Sequence, residues 1–271
     1  MPKLRLRSPK PDAEGRIHHV TPQSAGWQHV GFETYALVSG QAVARTGSDR
    51  EHCLVMLSGH MRVWAGGKDF GAIGGRSSPF EADIWSFYVP GGMDWRAEAE
   101  GACEFAVCSA PGKIEPGKPG LPARVIAPKD VGCLTRGTGT NTRHVRNILP
   151  ETEPAESLLV VEVITPSGNW SSYPPHKHDR DALPEESLLE ETYYHRFSPP
   201  QGFGFQRVYT DDRSIDEAMT IEDRDVVLVP RGYHPVGAAH GYDLYYLNVM
   251  AGPKRVWKFH NDPAHEWMLK A

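Results

Sequence analysis

Val226-Val-Leu-Val-Pro-Arg-Gly-Tyr-His234, followed by Tyr245-Tyr-Leu-Asn-Val-Met-Ala-Gly-Pro253, reads as strand, Val-Pro-x-Gly turn, polar loop and second strand. The second strand stops at a small residue and a proline. An earlier stretch has the same plan: Trp85-Ser-Phe-Tyr-Val-Pro-Gly-Gly-Met-Asp94, then Glu104-Phe-Ala-Val-Cys-Ser-Ala-Pro111. Such self-similarity at a spacing of about 140 residues indicates a duplicated β domain.

The flanking sequence agrees. TYALVSG from Thr34, HCLVMLSGHMRVWAGG from His52, SLLVVEVITPSG from Ser157, ETYYHRF from Glu191 and GFGFQRVYT from Gly202 are β-branched or aromatic-rich pieces. Most end at Gly, Pro or Ser, the pattern of short antiparallel strands joined by tight turns. With Gly 27 and Pro 23 in 271 residues, and little 3.6-residue periodicity, the chain reads as all-β, a sandwich or barrel. The Pro-, Gly- and Lys-rich stretch in residues 111–140 acts as a linker, giving an N-terminal domain at 1–125 and a C-terminal domain at 126–271. Residues 1–30 begin polar and basic and suit a short edge strand or a loose arm.

A net charge of −5 offers nothing to nucleic acid or to an anionic membrane. No apolar run approaches the ~18 residues of a membrane span, and no secretory leader is visible. The four cysteines lack CxxC spacing and read as reduced thiols of a cytoplasmic protein.

The chemistry concentrates between Ser167 and Gly202, SGNWSSYPPHKHDRDALPEESLLEETYYHRFSPPQG. If His176-Lys177-His178 is extended, both imidazoles share a face and Lys177 points away. Two neutral imidazoles with a nearby carboxylate suit a first-row divalent metal. The internal match supplies a third histidine, His234, just after the Val-Pro-x-Gly turn. Its counterpart in the first half is Asp94, and VARTGSDRE before His52 holds no histidine, so only the second half is equipped for a metal. Glu185, Glu186, Glu190 and Glu191 compete for the carboxylate position. PEESLLEE reads as a helical turn that leaves Glu185 and Glu186 in solvent. Glu191 opens the aromatic strand, with Tyr193 and His195 on its face; Glu190 is the runner-up.

LLVVEVITPSGNWSSYPPHKHD, LPEESLLEETYYH, FQRVYTDDRSIDE, VPRGYHPVG, YYLNVMAGP and WKFHNDPAHEW together resemble the 5-deoxy-glucuronate isomerases of myo-inositol catabolism. These are two-cupin proteins in the same superfamily as a zinc-containing uronate isomerase of pectin breakdown. The likeness covers most of residues 130–268 and is looser in the first half. Glu191 departs from the short cupin signature, since an acidic insert separates it from His178. The resemblance implies two tandem cupin barrels with metal ligands at His176, His178, Glu191 and His234. It also implies an aldose–ketose isomerisation of 5-deoxy-glucuronate to 5-dehydro-2-deoxy-gluconate. Zinc is the first expectation for the one divalent metal, with manganese, iron, cobalt or nickel also suited to the ligand set.

Moving a proton between neighbouring carbons calls for a base, for which Glu190, His195, Tyr193 and Tyr246 are candidates. The substrate carboxylate calls for a fixed cation: Arg207, Lys177, Arg143 or Arg213. Trp170, Trp257 and Tyr233 are candidate pocket walls, and His260 and His265 candidate caps. The partner expected is a small uronate, with self-association into a homo-oligomer to cover edge strands. The competing expectations are an iron-dependent cupin dioxygenase and a non-catalytic sugar-binding bicupin.

Overall fold

A computed structural model describes residues 3–113 and 120–270; residues 114–119 of the linker-like stretch lie outside the described residues. The chain divides into two compact units. One takes Pro9–Gly132 with Asn147–Val160. The other combines Cys133–Arg146, the described residues from Val161 onward and those up to Ser8.

In the first unit a six-stranded sheet runs in the order Arg124–Ile126, Ser86–Val89, Arg50–Ser58, Cys103–Pro111, Gly31–Leu37, Arg16–Val20. A four-stranded sheet follows the order Ala42–Arg45, Trp95–Ala99, His60–Ala65, Lys68–Gly74. Alternation along each strand sends one set of side chains inward. Leu54, Met56, Phe87, Val89, Phe105 and Val107 from the larger sheet join Val43, Met61, Val63 and Ala97 from the smaller one in a single buried core.

The second unit repeats this order. Its large sheet runs Arg5–Leu6, Val226–Val229, Glu190–Ser198, Asp243–Ala251, Leu159–Thr165, Arg143–Leu149, Gly132–Arg136. Its small sheet runs Trp170–Ser171, Val236–Ala238, Phe203–Tyr209, Asp216–Glu222. The duplication read from the Val-Pro-x-Gly stretches is therefore a duplication of sheet order. The strands that carry and surround the site pair antiparallel, and the α-helix among the described residues is a single short one, Pro22–Ala25. The protein is all-β, two cupin barrels in tandem.

Register identifies equivalent positions. His52 lies opposite Val89 in the first unit, and Glu191 lies opposite Val229 in the second. Both face the barrel interior, so the place of Glu191 is held by a histidine in the first half. Burial, with Arg50 and Arg45 nearby, pushes the His52 pKa down to about 4.

One expectation changes. PEESLLEE is not a helical turn: Glu186–Leu188 is a strand paired with Asp179–Ala182. Glu186 is fully buried, taking hydrogen bonds from the Asp179 amide at 2.8 Å and Arg180 Nε at 2.8 Å. The adjacent cations Arg180 and Lys177 outweigh the pull of solvent on this carboxylate.

The first unit has its own buried carboxylate. Glu51 is wholly enclosed; it accepts the Glu156 amide at 2.8 Å, the Ser157 and Leu158 amides, and the Tyr88 hydroxyl at 2.6 Å. Removing it strands three amides and a phenol in a dry interior. Glu51→Ala is expected to lower unfolding stability by about 3 kcal/mol or more, measured from urea midpoints, with metal content unchanged.

Candidate metal centre

Two strands and one turn bring the site together in the second unit. Glu191 is the second residue of Glu190–Ser198, a nine-residue strand hydrogen-bonded on both sides. His178 follows the short strand His176–Lys177, and His234 follows the turn closed by Gly232, whose φ of 95° a side chain would disfavour. The donor atoms of His178, Glu191 and His234 all lie within 4.8 Å of one another, and all three residues are buried.

The hydrogen bonds fix which atoms face inward. His178 Nδ1 lies 3.1 Å from the Leu189 carbonyl, and His234 Nδ1 lies 2.9 Å from the Gly232 carbonyl. A carbonyl only accepts, so each Nδ1 carries the proton and each Nε2 presents a lone pair. His178 Nε2 is 3.1 Å and His234 Nε2 3.2 Å from the same Glu191 oxygen, Oε2. Three electron-rich atoms facing one another repel unless a proton or a cation sits among them. His234 Nε2 makes no hydrogen bond although it is buried. Two imidazole nitrogens and a carboxylate oxygen, each anchored from behind, are a donor set suited to a divalent metal.

The electrostatics agree. Burial drives the His234 pKa down to about 3 against the opposing pull of Glu191, which keeps the ring neutral as a ligand must be. Burial also disfavours the charged form of His178, but Glu191 prevails and lifts its pKa. The other Glu191 oxygen, Oε1, accepts from Asn248 Nδ2 at 2.6 Å. Asn248 was not visible as a site residue in the sequence. Its signal is its position: it lies opposite Tyr193 in the strand paired with Glu190–Ser198, on the same inner face.

His176 stands slightly apart. Its ring centroid is 5.0 Å from that of His234, it packs on Phe259 at 4.6 Å, and it lines the adjoining cavity. It lies outside the group of three, and burial, with His178 and Arg143 adding to it, lowers its pKa to about 3.

The cavity, about 350 Å³, is lined by His176, Glu191, Tyr193, Tyr246 and Asn248 from the site and by Trp257, Phe259, Met268 and Leu269 from the tail. Of the proton-transfer candidates, Tyr193 and Tyr246 reach it. Tyr193 Oη is 2.8 Å from Ser172 Oγ, and Tyr246 Oη is 2.6 Å from Ser171 Oγ. Burial raises the pKa of both phenols. His195 lies deeper, its Nε2 3.0 Å from Gln206 Oε1, and Glu190 points to the opposite face of the strand from Glu191; neither lines the cavity.

The cation candidates separate sharply. Arg207 sits on the outward face of Phe203–Tyr209 in a two-bond pair with Asp216, at 2.8 and 2.9 Å. Arg213 is exposed and 3.5 Å from the same Asp216. Lys177 does point away from the imidazoles, into a cage of Asp179 at 2.7 Å, Asp211 at 3.0 Å and Glu186 at 3.6 Å. All three are consumed by carboxylates beside them. Arg143 alone of the four lines the cavity, together with Arg136.

Among the wall candidates Trp257 lines the cavity; Trp170 and Tyr233 do not, and Tyr233 instead donates to Asp211 at 2.8 Å. His260 and His265 are also outside it, while the neighbouring tail residues Asn261, Met268 and Leu269 contribute.

The KduI/IolB family model matches residues 5–268. The 5-deoxy-glucuronate isomerase of Geobacillus kaustophilus is 54% identical over 272 residues, covering 100% of this chain and 97% of the relative. A solved IolB-like protein from Salmonella typhimurium superposes with a TM-score of 0.93 at 50% identity, covering 98% of this chain and 99% of that one. A Bacillus subtilis oxalate decarboxylase with Mn(II) centres shares the fold alone, with a TM-score of 0.66 at 14% identity over 96% of this chain and 80% of its own.

Asn248→Ala is expected to weaken zinc binding about 10- to 100-fold, read by competition with a chromogenic chelator, because it frees the carboxylate that faces both imidazoles.

Proposed function

The chain belongs to the KduI/IolB family, and from that premise we propose that it is a metal-dependent aldose–ketose isomerase converting 5-deoxy-glucuronate to 5-dehydro-2-deoxy-gluconate in inositol catabolism. The observation that carries the reading is the convergence of His178, His234 and Glu191 beside a cavity of substrate size. In this reading the unit of Cys133–Arg146 and the residues from Val161 onward is the catalytic domain, and the unit of Pro9–Gly132 with Asn147–Val160 is a domain without metal ligands. The 125/126 boundary marks only where the linker-like stretch divides the two series. His176, at the cavity edge, completes the ligand set. Zinc is the metal of first choice for a His and Glu donor set. The enzyme is read as cytoplasmic and homo-oligomeric; the exposed aromatic pair Phe203 and Phe205 is a face that a second copy would cover.

The reaction moves one proton from the carbon beside the aldehyde to the aldehyde carbon, and a second from the adjacent hydroxyl to the carbonyl oxygen. No external oxidant or reductant is consumed. A bound divalent cation would supply Lewis acidity where negative charge develops on those two oxygens. The protein does the rest. Asn248 fixes the Glu191 carboxylate. Phe259, Trp257, Met268 and Leu269 exclude water from the reacting carbons. Tyr193 and Tyr246, the cavity-lining members of the proton-transfer candidates, hold or relay the proton through hydroxyls positioned by Ser172 and Ser171.

The decisive assay is isomerisation of 5-deoxy-glucuronate. Chelation should abolish it and added divalent metal should restore it, under strict anaerobiosis as well as in air. A need for oxygen would favour the dioxygenase reading, and tight sugar binding without turnover the non-catalytic one. Tyr246→Phe is expected to lower kcat about 100-fold or more with KM and metal content little changed.

A further inference from the structure

We propose that Arg136 and Arg143 together form a two-guanidinium clamp that binds the substrate carboxylate and sets the specificity for uronates over neutral sugars. This rests on the isomerase reading above and adds the group that recognises the charged end of the substrate.

The clamp comes from Arg136-Gly-Thr-Gly-Thr-Asn-Thr-Arg143, the segment joining strands Gly132–Arg136 and Arg143–Leu149. Both arginines, with Gly137, Thr138 and Asn141, line the cavity that also contains His176 and Glu191. The Asn141 carbonyl accepts from Arg143 Nη1 at 3.0 Å and so orients the guanidinium. Gly137 makes that packing available. Its φ is 75°, and a Cβ there would fall 2.1 Å from the Asn141 oxygen and 2.8 Å from Arg143 Nη1. The close approach of loop and guanidinium leaves room for hydrogen alone. Arg136 lies over the Trp257 ring, 5.7 Å from its centroid, which holds the second cation against the cavity wall.

What distinguishes this pair is the lack of a countercharge. Arg207, Arg213 and Lys177 each have carboxylate partners. Among the described residues neither Arg136 nor Arg143 makes an ion pair, and the one carboxylate lining the cavity, Glu191, is already engaged with His178, His234 and Asn248. Two guanidiniums brought to one half-enclosed cavity, each opposing the other, are unfavourable until an anion joins them. Burial and the neighbouring Arg136 both lower the pKa of Arg143, which is the cost that an anion would relieve. A planar carboxylate takes parallel N–H donors from such groups, and that geometry suits arginine better than lysine.

The test compares metal-loaded wild type with Arg136→Gln and Arg143→Lys on two substrates, 5-deoxy-glucuronate and its uncharged amide. Each variant should lose about 10- to 100-fold in kcat/KM on the uronate, mainly through KM, and less than about threefold on the amide. Equal losses on the two substrates, or no loss on either, would overturn the clamp. Arg136→Gln changes a loop side chain and Arg143→Lys keeps the charge, so thermal melts matching wild type are expected. Calorimetric binding of glucuronate separates the clamp from the isomerase reading. If wild type turns over nothing, that reading fails, while weaker glucuronate binding by Arg136→Gln still supports the clamp and unchanged binding refutes it.

Discussion

The constraint on which the second unit depends is the Glu191 carboxylate among buried imidazoles. Its strand is held on both sides, by Val226–Val229 and Asp243–Ala251, so the carboxylate cannot swing away. Asn248 holds one oxygen, and the other faces two Nε2 atoms whose tautomers are set by backbone carbonyls. Such a cluster is stable only with positive charge at its centre. A divalent cation bound there would couple metal binding to local ordering at the barrel mouth, where the imidazoles arrive on short segments and the carboxylate on a rigid one.

The first unit shows what the same frame does without that requirement. His52 occupies the register of Glu191, and Arg45 and Arg50 line the pocket beside it. A cation there meets two arginines, one of them already paired with Glu33 at 2.7 Å. Instead, Glu51, one residue earlier and on the opposite face, gathers three amides and a tyrosine hydroxyl. In one half a buried carboxylate is satisfied by hydrogen bonds; in the other it faces two imidazole nitrogens.

Much of this was legible in the residues. Alternation and the repeated Val-Pro-x-Gly turns indicated paired all-β units, and turn position singled out His234. Alternation also put Tyr193 on the inner face with Glu191 and turned Lys177 away. Partnering was not legible. Whether Arg207 is free depends on Asp216 across a hairpin, and whether Glu186 is solvated depends on Arg180 and Lys177 folding over it. Arg136 carried no local signal because its significance is a missing partner, and an absence of that kind exists only in three dimensions. Asn248 is similar: an asparagine in an apolar strand explains itself only once its neighbour across the ladder is known.

The short strand Arg5–Leu6 pairs with Val226–Val229, and Arg5 Nε bonds Asp225 at 2.7 Å. The sheet that carries Glu191 is thus finished along that edge by a segment whose partner lies 220 residues away in the chain. The intervening chain can assemble its own sheets while those early residues wait for their partner strand. Sealing the open edge beside Val226–Val229 therefore carries the loop-closure entropy of that whole span, which places it after the local hairpins in folding.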